Sequence, residues 1–409
     1  MRYPTVRFAV MADPHYYSPS LGTSGPAFAN MMATTTDVKL LLDSVEILDT
    51  AVNTLLDERP DFVLACGDLT KDGELVSHRE FATKLRLLLA AGIPVLVTNG
   101  NHDINNTHAQ SFLGAVEQPA EQVTHLDFAD IYQDLGFGTA IARDAHSLSY
   151  VAEPVPGLWI LVLDSCRWQG RARVGGRLRS ETLRWAVDML EQARQAERAV
   201  IGMMHHGLLE HYPGNRRFYS KYIIDNDIVV AEKLAKAGLQ TVFTGHFHAQ
   251  DVQRKRWPDG SYIYDIETSS LATFPCSMRI VEIDADQRMR IRPLPVKVTA
   301  SQGREFRQYA RRYCYDTGVT MAQRRLRKLG IPAKHAAKIA PQVIDAFEAH
   351  VTGNEQKPDR VLDLDGVSPW AKFVMRQRRP LLEGLWAQEG PPDNALDIQL
   401  TTGTWYDPK

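Results

Sequence analysis

An α/β layered domain followed by a smaller, mainly helical module is the architecture that the sequence predicts, and three observations carry it. Short apolar runs alternate with amphipathic helical stretches up to about residue 295. The runs are of strand length, and two of them, 61–66 and 240–244, are followed directly by glycine. Beyond the polar stretch PVKVTASQG (295–303) only helical spacing continues. The predicted division is therefore a domain over 1–296 and a helical domain over 304–409.

Five runs read as buried strands: VRFAVMA (6–12), DFVLAC (61–66), IPVLVT (93–98), AVIGMM (199–204) and QTVFT (240–244). Helical patterns over 38–57, 78–91, 180–196 and 228–238 alternate with them, which calls for helices covering sheet faces. Further strands are expected at LWILVLDS (158–165), at YIYDIET (262–268) and in a hairpin over 278–293. In the C-terminal part, Phe306, Tyr309, Ala310 and Tyr313 mark one helical face; Ala322, Leu326 and Leu329 repeat the spacing before Gly330 and Pro332 stop it. A third helix is expected from Pro341 to before Gly353, then an irregular tail apart from a helix around 368–387.

The chain has 409 residues, 44% hydrophobic and 23% charged, with a formal net charge of -2. No global field therefore draws it to nucleic acid or an anionic membrane. Cys66, Cys166, Cys276 and Cys314 show no CxxC spacing, which fits a reducing compartment and speaks against a thiolate metal site. No apolar run approaches a membrane span and a strand pattern starts almost at Met1, so the expected location is cytoplasmic, or extracytoplasmic if a leader has been removed.

Polar residues gather directly after the strands: Asp13-Pro14-His15, Gly67-Asp68, Gly100-Asn101-His102-Asp103, His205-His206 and Gly245-His246-Phe247-His248. Sites in α/β sheets form beyond the carboxyl ends of strands, so these clusters should converge. Asp13, Asp68 and Asn101 offer oxygens; His15, His205 or His206, His246 and His248 offer imidazoles, a mixture suited to Mn, Fe or Zn. Seven donors are too many for one ion but match two ions that share a carboxylate, a standard device for cleaving phosphoesters. Adjacent side chains diverge, so Asn101 can ligate while His102 points past it toward a substrate.

In this order the five blocks resemble the signature of the calcineurin-like metallophosphoesterases, over about residues 6–300. That resemblance implies a four-layer αββα sandwich with two mixed β-sheets and a dinuclear site on its rim. By position it implies that Asp13, His15, Asp68 and His248 hold one metal and Asn101, His205 and His246 the other, with Asp68 bridging. His206 then either supports a ligand from behind or faces the substrate. Gly207 departs from the proline that many members carry after the histidine pair. The blocks GIPVLVTNGNHDINN, YYSPSLGTSGPAFANMM and SLATFPCSMR further resemble bacterial cyclic-nucleotide phosphodiesterase-like enzymes with a helical C-terminal domain.

The chemistry expected of such a site is hydrolysis by an ion-activated water, with two divalent or mixed-valence metal ions as cofactors. His102 would act as general acid, with Asp103 either orienting it or capping the turn. In the run HYPGNRRFYSKY (211–222), Arg216, Arg217 and Lys221 with Tyr219 and Tyr222 offer phosphate pairing and base stacking, and read equally well as a solvated loop. Asp72, Asn105, Asn106 and His108 read as solvated, and so do most basic residues of 301–340, although these leave nucleic acid as a less favoured partner. The expected substrate is a small phosphodiester or nucleotide, 3',5'-cyclic nucleotides first. A broad phosphomonoesterase or a nuclease is the alternative on the same site, and a non-enzymatic scaffold is disfavoured because every ligand position is filled.

Overall fold

The computed structural model describes residues 2–408 apart from 36, 171 and 389. The chain begins with β1 (Val6–Met11), β2 (Phe62–Cys66) and β3 (Val95–Thr98), then a separate ribbon of β4 (Gln110–Ser111) and β5 (Gln118–Pro119). The next strands are β6 (Ala142–Arg143), β7 (Tyr150–Val155), β8 (Leu158–Leu163), β9 (Ala199–Met204), β10 (Thr241–Thr244), β11 (Asp251–Arg256) and β12 (Tyr262–Glu267). They build a sheet in the order β11-β12-β10-β9-β8-β7-β6. Finally β13 (Ser277–Ile283), β14 (Arg288–Pro295), β15 (Leu396–Gln399) and β16 (Thr404–Tyr406) return to the first strands, giving the order β16-β15-β14-β13-β1-β2-β3. Both sheets are mixed: β1, β2 and β3 run parallel while β13 is antiparallel to β1, and β8, β9, β10 and β12 run parallel between antiparallel β7 and β11.

Ten helices complete the described fold: α1 (Pro26–Thr34), α2 (Ser44–Glu58), α3 (Leu75–Ala90), α4 (His125–Ile131), α5 (Ser180–Gln195), α6 (Asn215–Phe218), α7 (Asp227–Lys236), α8 (Phe306–Lys328), α9 (Ala333–Val351) and α10 (Pro369–Leu385). Period-two burial sets the layers. Ile160 and Val162 of β8 join the core between the sheets, while Leu161 and Leu163 turn to the opposite face and pack with α5 and α7. On the other side Ile47, Leu48, Ala51, Val52 and Leu55 of α2 and Phe81, Ala82, Leu85 and Leu88 of α3 cover the first sheet. Helix, sheet, sheet and helix thus stack as four layers. Among the described residues no helix is long and apolar enough to cross a membrane.

Four sequence readings shift. The helix expected from 38 begins at Ser44, after a 3-10 turn over Leu41–Asp43, so Lys39 lies in the loop before it. The two stretches read as separate helices between 306 and 329 run on as the single helix α8, because no proline interrupts its backbone bonds. The next helix starts at Ala333 and carries Pro341 inside it: the run AKHAAKIA consists mostly of strong helix formers and carries the helix past the missing N–H. The tail expected to be irregular supplies β15 and β16, with Met289 facing Ile398 and Ile291 facing Leu396.

Leu396, Ile398 and Leu400 are buried in the same core cluster as β1 and β13. Ile398→Ala should therefore cost about 2–5 kcal/mol in chemical denaturation, the usual loss for such a truncation in a packed core. A loss within the error of the measurement would mean that the tail is not docked on the sheet.

Candidate active site

Five loops at the carboxyl ends of β1, β2, β3, β9 and β10 meet where the two sheets face each other. Backbone bonds join them: Asp13 N donates to Gly67 O at 3.1 Å, His15 N to Asp68 O at 3.0 Å, and Gly245 N to His205 O at 2.9 Å. Of the ten non-glycine residues with positive φ among the described residues, five are Asp13, His15, Asp68, His246 and His248, at φ 49, 41, 48, 78 and 66°. Left-handed backbone at such residues costs of order 1–3 kcal/mol each and persists where surrounding structure enforces it. Gly67 (φ 84°) and Gly100 are needed for a second reason: a Cβ at Gly67 would lie 2.7 Å from His205 Nδ1, and one at Gly100 would overlap Asp68.

The side chains form two adjoining groups. In the first, His15 Nε2 and His248 Nε2 stand 3.1 Å apart, and Asp13 Oδ1 lies 3.5 Å from His248 Nε2 and 4.0 Å from His15 Nε2. In the second, His205 Nε2 lies 3.2 Å from Asn101 Oδ1, with the His246 ring 4.8 Å from the His205 ring, centroid to centroid. Asp68 Oδ2 stands between them, 3.4 Å from His205 Nε2 and 3.8 Å from His15 Nε2. Hydrogen bonds from the far ring nitrogens fix the tautomers. His205 Nδ1–H donates to Cys66 O at 2.9 Å, which leaves Nε2 as the nitrogen that would face a metal in place of its proton; His246 Nε2–H donates to Lys221 O at 3.1 Å, which leaves Nδ1.

A pair of divalent cations fits these donors, and the donor set of carboxylates, imidazoles and an amide oxygen suits transition metals. Asp13 Oδ1 is buried without a hydrogen-bond partner, a deficit that a cation would remove. The electrostatics agree. Burial alone would raise the Asp68 carboxyl, yet His205, His102 and His15 hold it well below the usual carboxylate range. Burial opposes charge on His205, but Asp68 and Asp13 outweigh it and lift the ring to about 9. The cluster thus attracts positive charge.

Over these atoms lies a cavity of about 470 Å³, roofed by α8, α9 and α10. Asp68, Asn101, His102, His246 and His248 form one wall, and Tyr219, Tyr222, Phe247, Phe347, Met375 and Leu382 line much of the rest. Lys39, Arg325 and Arg378 supply its cationic groups. His102 Nδ1 hydrogen-bonds Asp72 Oδ1 at 2.9 Å, while Nε2 stands 3.9 Å from Asp68 Oδ2. Burial and Lys39 work against charge on His102, but Asp68 and Asp72 prevail and raise its pKa.

Several expected roles change. Asp103 does not orient His102: its carboxylate accepts from Gly100 N at 2.7 Å, Thr70 N at 3.0 Å and Leu69 N at 3.1 Å, so it braces the turn. Asp72, read as solvated, is the partner of His102, and Asn106 Nδ2 also donates to it at 3.2 Å. His206 faces no substrate space, since Nδ1 accepts from Ser165 Oγ at 2.8 Å and Nε2 donates to Val174 O at 2.9 Å. Its ring packs 4.3 Å from that of His246, near enough for a third nitrogen in the group, but both its nitrogens are occupied. Arg216 is committed to Asp227 at 2.6 and 2.8 Å, and Arg217 lies over the Phe218 ring; neither lines the cavity. The cations that do line it were missed because Lys39 sits in an apolar run that mimics a helix, and because Arg325 and Arg378 approach only through the packing of α8 and α10.

The profile of the calcineurin-like phosphoesterases matches residues 6–250, the span that holds all five loops. The chain belongs to this family. It is 25% identical over 257 residues to the human serine/threonine-protein phosphatase CPPED1, covering 59% of this chain and 71% of that protein. Among solved structures it is similar to a dimetal phosphatase from Danio rerio, with 16% identity and a TM-score of 0.49, covering 72% of this chain and 97% of that one. It is also similar to the purple acid phosphatase PPD1 of yellow lupin seeds, with 12% identity and a TM-score of 0.42 over 74% and 52% of the two chains. As a calcineurin-like phosphoesterase, the protein is a metal-dependent phosphoesterase by fold and by its metal-binding clusters.

His205→Ala should lower metal content while His206→Ala leaves it nearly unchanged, measured by equilibrium dialysis against Mn²⁺. The reverse order would move the ligand role to His206. His102→Ala should keep both ions and lose roughly 10²–10⁴ in kcat, the range for a lost general acid. Asp72→Asn should cost about 10–100-fold with metal retained, as for other partners that orient such a ring.

Proposed function

We propose that this calcineurin-like phosphoesterase is a dinuclear phosphodiesterase of small diesters, foremost 3',5'-cyclic nucleotides. The observation that carries this reading is the roofed cavity. A space of about 470 Å³ is scaled to a nucleotide and offers little room for a duplex or a folded phosphoprotein. Tyr219, Tyr222, Phe247 and Phe347 present ring surfaces on which a base can stack. Arg325 and Arg378 add cationic groups on the roof, so on this reading the helices of 304–409 close the substrate space over a body formed by 1–296 and completed by β15 and β16.

Asp13, His15, Asp68 and His248 would hold one ion and Asn101, His205 and His246 the other, with Asp68 shared. When bound, the ions supply Lewis acidity that activates a water and neutralises charge on the phosphate. His102 then holds a proton at Nε2 next to the departing alkoxide, its Nδ1–H anchored on Asp72, and passes that proton to the leaving oxygen. Asp103 keeps the loop between Asp68 and His102 in place through three backbone N–H groups.

A phosphomonoesterase is the second reading. Lys39 favours it: this buried amine, 2.9 Å from Asp37 Oδ2, places a fixed positive charge beside the cavity that suits a dianion. The phosphatase named as the human relative acts, by its name, on phosphoserine and phosphothreonine.

Protein loaded with Mn²⁺ should open 3',5'-cyclic AMP or GMP to a 5'-monophosphate and should turn over a bis-aryl phosphate faster than an aryl monophosphate. Arg378→Ala should raise KM for the cyclic nucleotide by about tenfold, roughly 1.4 kcal/mol. Preference for the monoester with no cyclic-nucleotide turnover, in protein holding both ions, would replace the first reading by the second.

A further inference from the structure

Next to the loop that carries His246 and His248 lies a second buried polar cluster, whose residues do not line the cavity. Asp251 opens β11, His350 lies near the end of α9, and Glu355 follows α9. His350 Nδ1 stands 3.1 Å from Glu355 Oε1 and 3.6 Å from Asp251 Oδ2. Donors that share one ion at about 2.0–2.2 Å stand roughly 3–3.6 Å from each other, so the spacing suits a single cation. The His350 and Glu355 side chains are each only 1% exposed. Glu355 Oε2, on the carboxylate that faces His350, is buried and without any hydrogen-bond partner.

Charge around the cluster is unbalanced. Asp251, Asp265, Glu267, Glu355 and Asp393 are five carboxylates, and the cations among them are His211, 2.6 Å from Asp251, and the fully buried Arg279. Arg279 spends its donors on the backbone carbonyls of Glu267, Asp251 and Asp393 rather than on the carboxylates. Burial and the neighbouring Asp393 and Asp251 push the Glu355 carboxyl up to about 10, so added positive charge beside it is favourable. A proton shared between Glu355 and Asp393 is one way to meet the imbalance; a cation held by Asp251, His350 and Glu355 is the other.

We propose that Asp251, His350 and Glu355 hold a third divalent cation of the Mn²⁺ or Zn²⁺ class, separate from the paired site. Two carboxylates and one imidazole are the donor types that select such ions. The ion would staple the end of α9 to β11, next to the backbone bond from Gln250 N to Val351 O at 3.1 Å. The His350 ring packs 5.3 Å from Phe247, the residue between His246 and His248, so the staple would also fix the loop from which two histidines reach the paired site.

The test is the metal content of the full-length protein after equilibrium dialysis against Mn²⁺. Three equivalents are expected in the wild type and two in Glu355→Gln, whose cyclic-nucleotide or aryl-ester turnover should survive while its melting temperature no longer responds to Mn²⁺ as strongly. Asp68→Ala should keep one equivalent and the double variant none. Two equivalents in both wild type and Glu355→Gln would overturn the proposal and assign the charge to protons. Should Glu355→Gln fail to fold, adding His350→Gln to Asp68→Ala decides: an ion lost with His350 supports the site, and an ion content indifferent to it overturns the proposal.

Discussion

The Asp68 carboxylate, set between His205 at 3.4 Å and His15 at 3.8 Å, is the contact on which the rest of the site depends. It is anionic in a buried position only because histidines from both sheets surround it. His15 follows β1 and His205 follows β9, so one carboxylate from the first sheet engages side chains from both layers. The cost of keeping it there is visible in the backbone. Asp13, His15, Asp68, His246 and His248 all adopt left-handed conformations, and Gly100 makes room for the Asp68 side chain. Strain concentrated in the loops that carry the site is what a preorganised site requires.

The C-terminal residues act on that site from two directions. Helices α8, α9 and α10 close the cavity above the metal-facing atoms, and β15 and β16 continue the first sheet beyond β14. The helical segment is thus tied at both ends to the layered body, through β14 before it and β15 after it. Such anchoring places Arg325 and Arg378 over the cavity with less freedom than a tethered domain would have.

Much of this was legible in the residues because it is local. The strands show their period, and each polar block follows its strand closely, so the residues themselves call for convergence at the carboxyl ends. What escaped depends on packing or on short elements. LDIQ and TWY, the strands β15 and β16, are four and three residues long and carry too little pattern to stand out. The partner of His102 is Asp72 rather than the adjacent Asp103, because the turn folds the Asp103 carboxylate back onto Gly100, Leu69 and Thr70. Arg216 and Arg217 lie next to the right tyrosines in sequence, yet the short helix α6 turns Arg216 toward Asp227. Proximity along the chain misled in both cases.

The sharing of Asp68 by two ions is the central claim, and anomalous diffraction from crystals loaded with Mn²⁺, collected at the manganese edge, tests it most directly. Two peaks about 3.5–4 Å apart are predicted in the active site, each within coordination distance of the Asp68 carboxylate. A single peak there, or a pair joined by another residue with Asp68 outside coordination distance, would contradict the account.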